Sequence, residues 1–145
     1  MRGEEWGVRS LSCAGGASCR RCEVEMENSY YRELVVWQKA MELVELVYRL
    51  MRAFPSAEKF RLCDQLGRSV ISIPSNIAEG NGRESKSEYA RFLGIARGSL
   101  YETETQLEIA KRLGYVTDLS EATTLIVAIR KMLIALMSKL RAKTP

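Results

Sequence analysis

The most reactive side chains in this 145-residue chain are four cysteines, Cys13, Cys19, Cys22 and Cys63. Cys19 and Cys22 form a CxxC, the spacing with which two thiolates grip zinc. A zinc site needs four ligands, and the chain has no histidine, so only Cys13 and a carboxylate could complete one. The simpler reading makes residues 1–25 an extension ahead of Met26, with no metal and no cofactor. Cys63 falls in a helical pattern and reads as a small core hydrophobe. The missing histidine also removes the commonest general base and the Glu-x-x-His pairs of di-iron bundles. There is no GxxxxGK[ST] loop and no GxGxxG after a strand. Ser99 and Glu102 share a helix face, but a serine without an adjacent base is not a nucleophile. The chain reads as non-enzymatic.

Charge is the remaining chemical resource. The net charge is +4 from 22 basic and 18 acidic residues. Residues 30–145 hold 18 of the basic and 13 of the acidic side chains, a net of +5. That bias permits contact with RNA or DNA without demanding it. The candidate phosphate contacts are Arg68, Arg83, Arg91, Arg97, Arg130, Lys131 and Arg141. Arg130 and Arg141, eleven residues apart, share one face of the last helix. Glu108 and Arg112 form an i,i+4 pair that decorates a solvated face. No aromatic residue interleaves the Arg130–Arg141 face, so any binding should be led by phosphates and show little sequence preference. The rival reading is a protein scaffold that touches no nucleic acid.

Four helices must position these residues. At 46% hydrophobic and 28% charged, the chain can build a packed core. The first helix is predicted over 30–53, with two apolar seams. One is Leu34, Trp37, Met41, Val44, Tyr48 and Met51. The other is Val36, Ala40, Leu43, Val47, Leu50 and Phe54. A bundle helix needs one stripe, so two seams point to self-association. The second helix is expected after a Ser56 cap, with Phe60 in its apolar set, ending at a left-handed cap in Gly80-Asn81-Gly82. The third opens on a Ser85–Glu88 capping box and ends at Gly114. The fourth opens near Thr117–Asp118. Short connections give an all-α, up-down-up-down antiparallel four-helix bundle over 29–145, preceded by a disordered extension over 1–28. No apolar run reaches 18 residues and no signal peptide opens the chain. A cytoplasmic protein with no membrane contact is the default.

The segment RSVISIPSNIAEGNGR, residues 68–83, interrupts the second helix with Pro74. A kink is expected there, with Ser72, Ser75 and Asn76 bonding the freed backbone groups. Gly94 and Gly98 on the third helix offer a matching notch. Asn76, Glu79, Ser99 and Glu102 are expected to form a structural polar network rather than a ligand site.

The order SIPSNIAEGNGR, EYARFLGIARGSLYETETQL and KRLGY, with YRELVVWQKAMELV before it, resembles the four-helix bundle proteins encoded by intervening sequences in bacterial 23S ribosomal RNA genes. The resemblance covers about residues 30–140. It departs at Gly67, where the family wording carries a basic residue. It implies a ring-like homopentamer. A related branch, the accessory protein of diversity-generating retroelements, partners a reverse transcriptase and binds nucleic acid, so both become possible partners. Residues 1–25 fall outside the resemblance and are expected to be dispensable for folding.

Overall fold

The computed structural model describes residues 30–142, so the expectations for residues 1–28 and for Cys13, Cys19 and Cys22 lie outside the described residues. Five α-helices follow in order: α1 (Tyr30–Glu33), α2 (Val35–Met51), α3 (Leu62–Asn81), α4 (Lys86–Arg112) and α5 (Ser120–Ala142). The four long helices pack in a cycle, α2 on α3, α3 on α4, α4 on α5 and α5 on α2. The chain is therefore a helical bundle, with no strand among the described residues. No helix among them is long and apolar enough to cross a membrane.

Three boundaries differ from the sequence reading. The first helix is two pieces, because Leu34 is extended at φ −67° and ψ 118°. Its carbonyl then accepts from the Trp37 and Gln38 N–H groups at 3.0 and 3.1 Å, which restarts the helix. The break sets Tyr31 edge-on to Trp37, with centroids 5.4 Å apart. Ser56 does not cap α3. It opens a 3-10 turn over Ser56–Glu58, and Arg61, at φ −120° and ψ −99°, delays α3 until Leu62. Phe60 is thereby left outside the helix at 83% exposure. Finally, Gly82 ends α3 in an ordinary right-handed conformation at φ −78°. Among the described residues the left-handed glycine is Gly114, φ 78°, after α4. It occupies a conformation that side chains with a Cβ avoid.

The capping expectations for the later helices hold. Glu88 N–H donates to the Ser85 hydroxyl at 3.0 Å, satisfying one of the orphan donors of α4. Ser120 donates its N–H and its hydroxyl to the Asp118 carboxylate at 2.8 and 3.0 Å. Those bonds hold the Asp118 carboxyl below its ordinary range.

One seam of α2 is buried in the core, and the other packs half-buried against its edge. Val36, Ala40, Leu43 and Val47 are buried, joined by Leu46, whereas Trp37, Met41 and Val44 are half-buried and Tyr48 is 46% exposed. Opposite them lie Leu66, Val70, Ile73 and Ile77 of α3, Leu93, Leu100 and Leu107 of α4, and Ile129 and Leu133 of α5.

Where α3 meets α4, the fold tolerates no extra carbon. A Cβ built on Gly80 would lie 2.8 Å from Phe92 Cβ and 2.8 Å from Tyr89 Cδ2. Gly80→Ala is expected to cost about 1–3 kcal/mol, the range for overpacking a tight site. Thermal melting of the variant checks this; an unchanged midpoint would show that the two helices can part freely.

Candidate nucleic-acid interface

Ser69 and Ser72 of the 68–83 segment bond across to α4. Ser69 and Thr103 are buried, with Thr103 Oγ1 2.9 Å from Ser69 Oγ. Ser69 Oγ lies 2.8 Å from Gln106 Oε1, and Gln106 Nε2 donates to Glu102 Oε1 at 3.1 Å. One orientation satisfies the row: Thr103 donates to Ser69, Ser69 to Gln106 and Gln106 to the Glu102 carboxylate, which only accepts. Closer to Pro74, Ser99 Oγ and Asn76 Nδ2 both donate to Ser72 Oγ at 2.9 Å. Ser75 and Asn76 also donate to the carbonyls of Ile71 and Ser72, at 2.9 and 2.7 Å.

Of the four expected network residues, Asn76 and Ser99 thus meet through Ser72, and Glu102 joins through Gln106. Glu79 stands apart, pairing with Arg83 at 2.5 Å. The glycine notch is not at this contact. Gly94 faces Met137 of α5, and nothing lies within 4 Å of a Cβ on Gly98. Hydroxyl-sized side chains at positions 99 and 103 give α3 its room instead. Sequence reading missed Ser69, Thr103 and Gln106. The available signal was helical spacing, with Ser69 three from Ser72, Thr103 four from Ser99 and Gln106 three from Thr103, but polar residues on a helix are read first as solvent-facing.

The seven candidate cations divide by what already holds them. Arg68 pairs with Asp64 at 2.9 Å and Arg83 with Glu79. Arg130 bridges to Glu104 across the α4–α5 contact at 2.5 Å and lies over the Tyr101 ring at 5.2 Å. Its side chain is only 28% exposed. The shared face expected for Arg130 and Arg141 is therefore broken, because the Arg130 guanidinium is committed inside the chain.

Arg91, Arg97, Lys131 and Arg141 carry no ion pair among the described residues. Two of them come together. The start of α4 and the end of α5 form an open cleft of about 500 Å³, lined by Lys86, Ser87, Ala90, Arg91, Leu140 and Arg141. No carboxylate among the described residues lines it. Arg91 also stacks on Phe92 at 5.1 Å, and Arg83 approaches the same ring at 4.9 Å. Arg97 is half-buried and Lys131 exposed, each outside this cleft. Lys86 was missed from the sequence. It is a cation in the first turn of a helix, where the macrodipole disfavours positive charge. That local conflict is the signal that could have singled it out. Cys63 is half-buried and packs against the core, and burial followed by the Glu58 charge raises its thiol pKa.

Two comparisons match the chain to known proteins. A family model described as 23S rRNA-intervening sequence protein matches residues 32–135. A crystal structure of a protein of unknown function from the S23 ribosomal protein family of Bacteroides thetaiotaomicron is similar at 27% identity and a TM-score of 0.53. The match covers 76% of this chain and all of that one. No curated protein matches the chain.

If the inward polar row is structural, Asn76→Ala should lower stability by about 1–3 kcal/mol, the cost of stranding buried polar partners. Glu102 is exposed, so Glu102→Ala should stay within about 0.5 kcal/mol of the parent, as surface changes do. Chemical denaturation of both variants measures the contrast; equal effects would contradict this placement.

Proposed function

The chain belongs to the family of 23S rRNA-intervening sequence proteins, and on that premise we propose that it works as a non-enzymatic homo-oligomer that binds RNA or DNA through backbone phosphates. The observation that carries the reading is the cleft of Lys86, Arg91 and Arg141, three cations that share it with no acidic residue among the described ones in the lining. Phosphate is the anion such a cleft suits, since cations without ion partners have no internal contact to give up. Phe92 supports two guanidinium groups beside it and limits their spread. Glu84 and Glu88 stand exposed on the same turn, so the attraction is local rather than a broad positive field.

Oligomerisation would strengthen a weak charge. In the homopentamer that the family resemblance implies, five chains of +4 give about +20, enough to draw in a polyanion that one subunit would hold poorly. The half-buried seam of Trp37, Met41, Val44 and Tyr48 on α2 supports self-association. The resemblance to the accessory branch of diversity-generating retroelements sets the partner proposed here, a reverse transcriptase acting on the same nucleic acid. A protein scaffold without nucleic-acid binding is the second reading, favoured by the same seam.

Anisotropy of a labelled oligonucleotide at 50 and 200 mM salt tests the proposal. Binding should weaken by roughly 10³–10⁵ between the two if the assembly makes 6–10 phosphate contacts. Replacing Arg91 and Arg141 together with alanine should weaken all sequences alike and flatten the salt slope. Arg130→Ala should leave the slope unchanged, because that charge is spent on Glu104. No binding at low salt would hand the function to the scaffold reading.

A further inference from the structure

Phenylalanine is among the side chains most often buried, yet Phe60 is 83% exposed. Its spacing does not ask for this. Phe60 stands three residues before Cys63, seven before Gly67 and eleven before Ile71, which line the edge of α3 beside Tyr48 and Met51. A helix continued back through residue 60 would set the ring on that edge. Arg61 departs from helical geometry at φ −120° and ψ −99°, and the ring stands out on the connection between α2 and α3 instead.

The surroundings of the ring are cationic. Lys59 Nζ lies over it at 5.4 Å, and with 83% of the residue exposed the rest of the ring is open to solvent. Lys59 and Arg61 flank it in the chain. Both are exposed, and neither has an ion pair among the described residues. Arg52 is exposed at the start of the same connection. The carboxylates nearest in the chain have partners: Glu58 accepts from the Tyr115 hydroxyl at 3.4 Å, and Asp64 pairs with Arg68 at 2.9 Å.

An open ring between two cations suits an unpaired nucleotide. A base stacks on the ring, and the phosphates on either side of it meet the cations. Every base has a π-face, so the contact tolerates any sequence. A base inside a duplex is already stacked on both faces and gives the ring nothing. A protein partner fits less well. Stable protein interfaces cover roughly 800 Å² a side, and Phe60 is the one large apolar side chain exposed over residues 52–61. For a base, one ring is a whole site.

We infer that the α2–α3 connection is a stacking contact for single-stranded nucleic acid, with Phe60 as the platform and Lys59 and Arg61 as its phosphate partners. This rests on the nucleic-acid reading above and adds the kind of strand to it. The contact is separate from the basic cleft. The start of α4 meets α3 at Gly80, whereas Phe60 precedes the first residue of α3. The 20-residue length of α3 puts about 30 Å between the two places.

Anisotropy on the full chain tests it with two labelled probes, an oligothymidylate of about 12 nucleotides, within the site sizes of single-strand binders, and a duplex of the same length. Phe60→Ala should melt with the wild type, as surface changes do. It should bind the single strand roughly 5- to 150-fold more weakly, the loss of one base stack, and the duplex as before. Its salt slope should be that of the wild type, because stacking releases no counterions; that separates Phe60 from Arg91 and Arg141. Phe60→Trp should keep wild-type affinity. Phe60→Leu should lose it, since leucine keeps apolar bulk without a π-face. Wild-type affinity in Phe60→Ala overturns the assignment, leaves the nucleic-acid reading standing and hands the ring to a protein contact. Full affinity in Phe60→Leu, or an equal loss on single strand and duplex, overturns it as well. A wild type that binds neither probe at low salt removes the nucleic-acid reading itself, and this inference with it.

Discussion

Two helices can approach closely only if the faces that touch carry small side chains, and α3 and α4 meet under that limit. Ser69, Ser72, Asn76 and Gly80 lie three or four residues apart on α3, and Ser99, Thr103 and Gln106 answer from α4. Small polar groups can be buried there because each finds a partner on the other helix or one turn back along its own. A row of leucines would fill the same faces with more favourable burial, but it would hold the helices further apart. The closeness also reaches the surface. Gly80 lets Phe92 seat against α3, and Phe92 is the ring on which Arg83 and Arg91 stand. A contact that belongs to folding thus fixes the platform for the basic end of the bundle.

Part of the positive charge on this molecule is spent inside the chain. Arg68, Arg83, Arg112 and Arg130 are matched within the chain by Asp64, Glu79, Glu108 and Glu104. Surface pairs of this kind add little stability, but they withdraw cations from any partner. Of the cations left without an ion partner, Lys86, Arg91 and Arg141 line one cleft together, which is why they matter more than the total. The apolar surface divides in the same way. One seam of α2 is buried in the core, and the other stays half-buried at its edge, beside α3.

Helix existence, the bundle architecture and the Ser85 cap were legible in the sequence because each depends on local spacing. The double seam of α2 was legible too, and the structure shows which half is buried. Residue pairings across helices were not. Nothing near Arg130 in the chain announces Glu104, which lies 26 residues away and meets it only after α4 and α5 dock. Gly94 and Gly98 resembled a notch because helical spacing gives relative faces but not which neighbour each face meets. Phe60 was misplaced because Ser56 looked like a cap, whereas Pro55 leads into a 3-10 turn and Arg61 breaks helical geometry before Leu62.

The central claim is that the polar α3–α4 row serves folding while the basic end serves binding. A double-mutant cycle with Ser69→Ala and Thr103→Val, read by denaturation and by oligonucleotide anisotropy on the same samples, separates the two. The account predicts a stability coupling of about 1 kcal/mol between the two sites, as for directly bonded neighbours, and an unchanged oligonucleotide affinity in all folded variants. Additive stability changes together with lost affinity would contradict it and place the ligand on the row itself.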